Sequence, residues 1–136
     1  FVSEVEDKPW FYDRDFWPPY LDTLVTSRIN RFSFTTGMGY NSANHITDGY
    51  LLFPFPFLLD VPGYNVRAKG LPDAERDRNL ATLKFIARET ARRGMQFQFG
   101  TWTLAYKYRN SPDATYVIEG LTDDEWGAFE RALADR

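Results

Sequence analysis

A helix followed by a short buried strand and then a long polar and aromatic loop occurs twice in the chain, over residues 15–41 and 73–108. The strands are predicted at 31–36, with the sequence RFSFTT, and at 96–102, with the sequence QFQFGTW. Alternation of helices and strands is typical of an α/β protein whose sheet is parallel. We therefore expect the two strands to lie side by side and to end at the same edge of a sheet.

Each predicted strand alternates phenylalanine with small or polar residues, which places the two kinds of side chain on opposite faces. We expect the phenylalanines to pack under the helices and the polar residues to face the interior of a barrel. In the second strand this alternation directs Trp102 to the polar side, at the end where the following loop begins.

Helix ends are marked by short motifs. Asn30 is a candidate for the left-handed residue that ends the first helix. Asp73 is expected to cap the second helix, and Gly94 to end it. Thr122 and Glu125 have the spacing of a capping box and predict the start of a last helix. The charged and aromatic stretch 4–14 is predicted to be a loop.

Composition excludes several classes of function. The net charge is −3 with both signs mixed along the chain, so no basic surface for nucleic acid is predicted. The longest apolar run, 50–59, contains two prolines and is too short to span a bilayer. The chain has no cysteine and a single histidine, His45, so we expect no thiolate or multi-histidine metal site and no cofactor.

The chain begins with Phe1 and ends within a predicted helix, so it is interpreted as a fragment of a larger protein. Residues 1–3 are interpreted as the end of a further strand. The predicted fold class is therefore a partial (β/α)8 TIM barrel, with residues 1–136 forming the N-terminal portion and about three βα units with long βα loops. The remainder of the same barrel is the expected protein partner.

Aromatic and acidic residues in the predicted strand-end loops are the candidate site residues. Rings suit sugars because a ring face covers C–H groups while the polar edges of the sugar stay free. The predicted substrate-binding residues are Trp102, Tyr106, Tyr40 and Asn41. Glycoside hydrolysis needs two carboxyl groups at a controlled separation, and the candidates that follow the predicted first strand are Glu4 and Asp7.

The segment YLDTLVTSRINRFSF resembles the early barrel of carbohydrate-active (β/α)8 enzymes, in particular family-20 hexosaminidases and α-glucuronidases. The positions that carry the resemblance are Tyr20, Asp22, Leu24, Arg28, Ile29 and Asn30. The resemblance implies a bacterial glycoside hydrolase-like barrel that acts on a poly- or oligosaccharide. The acid pair of the hexosaminidase-like enzymes has no match in this sequence, which implies that the catalytic carboxylates are supplied mainly downstream.

Two alternatives remain open from the sequence. One is a non-catalytic carbohydrate-binding barrel that has lost its chemistry. The other is a polysaccharide lyase, for which Tyr106 and Lys107 are a candidate base and a charge-neutralising group. The sequence does not identify the sugar, the linkage or the compartment.

Overall fold

The computed structural model describes residues 8–36, 55–101, 118–120 and 122–134. Four helices occur in these residues: α1 Lys8–Phe11, α2 Trp17–Thr26, α3 Asp73–Arg92 and α4 Trp126–Ala134. The strands are β1 Arg31–Thr36, β2 Arg67–Ala68, β3 Gln96–Thr101 and β4 Ile118–Glu119. Short 3-10 turns at Phe55–Phe57 and Asp123–Glu125 complete the regular structure of the described residues.

The strands β1 and β3 pair in parallel, with Arg31 opposite Gln96 and Thr36 opposite Thr101. This confirms the prediction that the two phenylalanine-rich segments lie side by side and run in the same direction. Helix α3 supplies the crossover that a parallel pair requires, because its carboxyl end leads directly into β3. All six residues of each strand have a partner, so the register is fixed over the whole pair.

The phenylalanine face of this sheet packs against the helices, as the alternation predicts. Phe11, Trp17 and Ile86 are fully or almost fully buried there, and the rings of the two strands pack against them. The partly buried rings of this aromatic cluster are Trp10, Tyr12, Phe16, Phe32, Phe34, Phe85 and Phe97. The indole Nε1 of Trp17 donates a hydrogen bond of 2.9 Å to the carbonyl of Phe11, which satisfies the polar edge of a buried ring.

A second, apolar cluster lies around the short antiparallel pair of β2 and β4. Its buried members are Phe57, Val61, Val66, Ala68 and Phe129. Gly120 follows β4 with φ of +90°, and a Cβ atom at this position would overlap the carbonyl oxygen of Asn65. Only glycine fits such a close approach, so this residue fixes how the end of β4 meets the chain before β2.

The expected partial (β/α)8 barrel is wrong. The described residues form two separate sheets of two strands each, and the second pair, β2–β4, is antiparallel. A barrel of this class requires adjacent strands that all run parallel and join in one sheet. What the structure shows is a small mixed α/β protein with one two-stranded parallel sheet. The strand predicted at residues 1–3 lies outside the described residues.

Local expectations had mixed outcomes. Gly94 has φ of +73° after α3, and the amide of Thr122 donates to a carboxylate oxygen of Glu125 at 2.9 Å, so both motifs are confirmed. The left-handed residue after α2 is Arg28, with φ of +63°, rather than Asn30. Asp73 is the first residue of α3 rather than its cap, since Pro72 occupies the cap position and no side chain caps the helix. Part of the predicted loop 4–14 is instead helix α1. The rings of this short helix pack into the aromatic cluster, and their burial stabilises it.

Candidate functional site at the carboxyl edge of the parallel sheet

The carboxyl ends of β1 and β3 meet at one edge of the parallel sheet. Thr36 and Thr101 are register partners, so the segments 37–54 and 102–117 leave the sheet from adjacent positions. In open α/β sheets ligands bind outside the carboxyl ends of parallel strands, where the chain leaves the sheet and its loops diverge. This edge is therefore the candidate functional site of the protein.

The two segments that begin at this edge also end close to one another. Segment 37–54 ends before Phe55, which packs against the apolar cluster, and segment 102–117 ends before Ile118 of β4. The turn at Phe55–Phe57 contacts β2, and β2 pairs with β4. The chain thus connects the carboxyl edge of the sheet to the apolar cluster twice.

The face of the parallel sheet that is turned away from the helices is polar and exposed. It carries Arg31 and Ser33 on β1, opposite Gln96 and Gln98 on β3, and these four side chains are named here the polar face. The guanidinium of Arg31 donates through Nε (3.2 Å) and Nη2 (3.0 Å) to Oε1 of Gln96. The hydroxyl of Ser33 lies 3.3 Å from Oε1 of Gln98, at donor–acceptor distance.

These contacts form two rungs that lie two residues apart along the strands, a separation of about 6–7 Å. Because arginine has only donors, the contact with Arg31 fixes the orientation of the Gln96 amide, whose oxygen accepts and whose NH2 group points elsewhere. The polar face therefore presents hydrogen-bonding groups of defined direction in the first half of the two strands, before the carboxyl edge at Thr36 and Thr101.

All of the predicted site residues lie outside the residues that the structure describes. These are the substrate-binding candidates Trp102, Tyr106, Tyr40 and Asn41 and the weaker catalytic candidates Glu4 and Asp7. Lys107, His45 and Phe53 also lie outside them. Trp102 directly follows Thr101, the last residue of β3, so segment 102–117 begins at the carboxyl edge.

A buried polar link joins the two clusters behind the sheet, and the sequence analysis did not identify it. Asn79 on α3 is 1% exposed, and its Nδ2 donates a 3.0 Å hydrogen bond to the carbonyl of Phe57 in the apolar cluster. Its Oδ1 accepts from the hydroxyl of Tyr12, in the aromatic cluster. Position 79 shares the helical spacing of Leu83, Ile86 and Thr90, so its inward direction was available from periodicity.

Tyr12 is also covered by a cation. The guanidinium carbon of Arg78 lies 3.9 Å from the centre of the Tyr12 ring, within the range of a cation–π contact. Helix α3 thus holds the segment that contains Tyr12 through two adjacent residues, Arg78 and Asn79. Because Asn79 also binds the Phe57 carbonyl, the placement of the chain after segment 37–54 depends on this helix.

An ion-pair network joins α2 and α3 on the helical side of the sheet. Arg93 donates to Asp22 at 2.6 Å, to the Glu89 carboxylate at 2.8 Å and to the carbonyl of Pro18 at 3.1 Å. The hydrogen bond from Arg93, supported by the charge of Arg92, lowers the pKa of Glu89 from its ordinary value against the opposing effect of desolvation. This network holds the end of α3 on α2, and those helices cover the phenylalanine face.

Many of the rings that raised the aromatic fraction to 18% are core residues in the described part of the chain. Phe57 is completely buried and Phe55 packs against the same apolar cluster, so these two rings are also core residues. The large exposed apolar side chains of the described residues are Tyr20 (39%) and Ile29 (41%), both on the helical side of β1 or next to it. Because packing accounts for these rings, the aromatic content of the described residues is not evidence for a ligand-binding site.

Histidine, aspartate and glutamate side chains do not gather into a group of three that could hold a metal ion anywhere in residues 8–36, 55–101, 118–120 or 122–134. Within the same residues, every helix is too short or too polar to cross a bilayer. Comparison of the chain with protein-family models, with curated proteins and with solved structures finds no match. Among the described residues, the carboxyl edge and the polar face are therefore the features that bear on function.

Proposed function

We propose that this chain binds a poly- or oligosaccharide at the carboxyl edge of the β1–β3 sheet, as the glycan-binding part of a glycoside hydrolase-like protein. The observation that carries the proposal is the parallel, in-register pairing that brings Thr36 and Thr101 together. It starts the segments 37–54 and 102–117 from adjacent positions, at the end of the strands that carry the exposed polar face.

The chemistry of the polar face supports a ligand with many hydroxyl groups. Sugar hydroxyls both donate and accept, and the side chains of Ser33, Gln96 and Gln98 offer both kinds of group. A saccharide on this face would exchange hydrogen bonds with water for hydrogen bonds with fixed side chains. Such exchanges contribute only about 0.5–1.5 kcal/mol each, so several contacts and an apolar surface are needed for useful affinity.

Trp102 is the proposed source of that apolar surface. It follows the last residue of β3, where an indole ring would cover the C–H face of a sugar unit. Tyr40 and Asn41 in one loop, and Tyr106 in the other, are proposed as its neighbours. Both segments begin at the carboxyl edge, which supports this grouping, although Tyr40 and Trp102 are about sixty residues apart in the sequence.

The test is the affinity of the Trp102→Ala variant for a panel of soluble hexasaccharides, measured by isothermal titration calorimetry. A matched control is Tyr20→Ala, which removes an exposed ring from the helical side of the sheet. We expect Trp102→Ala to weaken binding by about tenfold or more, since stacking on an aromatic ring is worth about 0.5–1.5 kcal/mol beyond the area buried. Equal affinities in wild type and Trp102→Ala, with folding intact, contradict the proposal.

Cleavage of the bound glycan is a separate question from binding. Hydrolysis requires a pair of carboxyl groups, and Glu4 and Asp7 are the candidates within this chain. Release of reducing ends from a bound hexasaccharide, abolished in Glu4→Gln or Asp7→Asn without loss of affinity, would assign the chemistry to these residues. An unsaturated product that absorbs in the ultraviolet would instead identify a lyase, and binding without any product would identify a carbohydrate-binding protein.

A further inference from the structure

We infer that two copies of this chain associate about a twofold axis, through the outer edge of β1 and the adjoining side of α2. This dimer goes beyond the proposed function and uses only residues 13–35, whose backbone the structure describes. Within the described residues, the outer edge of β1 pairs with no strand. Edge strands are commonly protected by proline, by a bulge or by brevity, whereas β1 has six residues, no proline and an unbroken register with β3.

The backbone groups on this edge are identified by the pairing with β3. The amide of Gln96 donates to the carbonyl of Asn30 at 2.8 Å, so the even-numbered residues of β1 direct their backbone groups toward β3. Successive residues of a strand point these groups to alternate sides. The N–H and C=O groups of Arg31, Ser33 and Thr35 therefore point to the outer edge, where they form a template for an added strand.

The sequence of β1 is complementary to itself about Ser33. In an antiparallel pair centred there, Ser33 faces its own copy and Arg31 faces Thr35 of the second copy, so the two arginines are not opposed. These are the hydrogen-bonded pairs, and together they supply about six backbone hydrogen bonds. Phe32 then lies opposite Phe34 of the second copy, in a non-hydrogen-bonded pair whose side chains approach closely, on the face that packs against the helices.

Helix α2 leaves an apolar flank beside this edge. Its side toward α3 carries Asp22, which pairs with Arg93, and its inner side carries the buried residues Trp17 and Leu21. The flank turned away from α3 consists of residues four apart that are half-buried or exposed: Phe16, Tyr20 and Leu24.

Tyr20 places this flank level with the centre of β1. It is 39% exposed, its ring stacks on Phe16 with centres 5.4 Å apart, and it lies 6.1 Å from the ring of Phe32. An axis through Ser33 therefore passes close to Tyr20 and packs the flank against its own copy. Tyr20 and Ile29, the large apolar side chains that the described residues expose, both lie near β1 rather than β3.

The charges at the two ends of α2 fit the same axis. Asp13 and Asp15 precede the helix and Arg28 follows it, and all three side chains are exposed. Antiparallel packing of α2 on its copy brings the acidic end of one helix beside the basic end of the other, at two places related by the symmetry. Because such an interface uses the same surface on both copies, it closes at a dimer.

The first experiment tests the register of the strands by cross-linking. The chain has no cysteine, so one introduced thiol reports a contact between copies. A hydrogen-bonded antiparallel pair separates Cα atoms by about 5.5 Å, within the span of a disulfide. Ser33→Cys should therefore form a covalent dimer under mild oxidation at least about tenfold faster than Gln98→Cys, its neighbour on the same exposed face of the sheet. Equal rates overturn the inference.

The second experiment measures association by sedimentation equilibrium. We expect the wild-type protein to approach twice the mass of the chain as its concentration rises. Tyr20→Glu, at the centre of the flank, should raise the dissociation constant by about tenfold or more, because a charge there is buried in the dimer. Ala81→Glu adds the same charge at an exposed position of α3 and should leave the constant unchanged. Equal effects of the two variants, or a wild-type protein that stays monomeric up to about 1 mM, overturn the inference.

A mixture of two variants tests the orientation of the helices. Arg28→Asp and Asp15→Arg each oppose like charges in their own dimers, whereas a dimer that contains one copy of each restores both attractive contacts. The mixture is therefore expected to associate more tightly than either variant alone. A mixture that associates no more tightly than the separate variants contradicts the antiparallel packing of α2.

Discussion

Replacing Asn79 with alanine tests whether helix α3 holds the two clusters together. The variant loses the hydrogen bond to the buried Phe57 carbonyl, at 3.0 Å, and the one from the Tyr12 hydroxyl. The two hydrogen bonds contribute about 1 kcal/mol each, and a buried polar group that loses a partner costs about 1–3 kcal/mol more. We expect the free energy of unfolding to fall by about 3–5 kcal/mol in all, a large share of the total for a small domain.

The assay is urea denaturation followed by tryptophan fluorescence and by circular dichroism. Tyr12→Phe, which removes only the hydroxyl, should cost about 1 kcal/mol. The double variant should cost less than the sum of the two single variants, because both remove the same hydrogen bond. Lys84→Ala, at an exposed position of the same helix, is the control and should stay within about 0.5 kcal/mol of wild type. An Asn79→Ala variant as stable as this control refutes the reasoning.

Two further predictions concern Gly120 and Glu89. Gly120→Ala and Gly70→Ala both place alanine in the left-handed region, with φ of +90° and +85°, at a cost of about 1–2 kcal/mol. Of the two variants, only Gly120→Ala also places its Cβ against a backbone atom. Thermal unfolding should therefore show that it loses about 1–3 kcal/mol more stability than Gly70→Ala. Equal losses in the two variants would contradict the close approach to Asn65. The folded pKa of Glu89 is lowered, so its ion pair stabilises the protein above the unfolded pKa near 4.5 and is lost as pH falls through the folded value. The difference in Tm between wild type and Glu89→Gln should therefore shrink as pH falls from about 7 to about 3, and a constant difference would exclude this role of the carboxylate.

The parallel pairing was predictable because it depends on local patterns that the sequence displays. The alternation of phenylalanine with polar residues in β1 and β3 fixes which face is buried. The helical segment that links the two strands predicts that they run in the same direction. Both inferences need only the periods of strands and helices.

The barrel was not predictable from the same patterns, because a helix between two parallel strands is common to many α/β folds. Whether further strands join the sheet depends on long-range pairing that local periodicity does not encode. The short strands β2 and β4, of two residues each, carry no recognisable alternation, and their antiparallel pairing arises from contacts between distant segments. The segment that resembles barrel enzymes is a helix followed by a strand, and this unit occurs both in barrels and in other α/β folds.

Single residues show the same limit. Arg28, rather than Asn30, takes the left-handed conformation after α2 because the helix ends at Thr26 and the turn follows at once. The rings of Trp10 and Phe11 belong to a predicted loop, yet they pack into the aromatic cluster, since burial of a large ring outweighs weak helix propensity. The alternation predicted that the polar side chains share one face, but it assigned that face to the interior of a barrel, whereas Ser33 and Gln98 are exposed. The cross-strand contacts of the polar face required the register to be known.

Backbone amide chemical shifts, recorded by NMR during titration with a hexasaccharide that the protein binds, test the location of the site most directly. Binding at the carboxyl edge and on the polar face predicts saturable shifts at Ser33, Thr36, Gln98 and Thr101, with little change at Ile86 behind the sheet. Saturable shifts confined to the helical side, or the absence of shifts at all four strand positions, would contradict a saccharide site on this sheet.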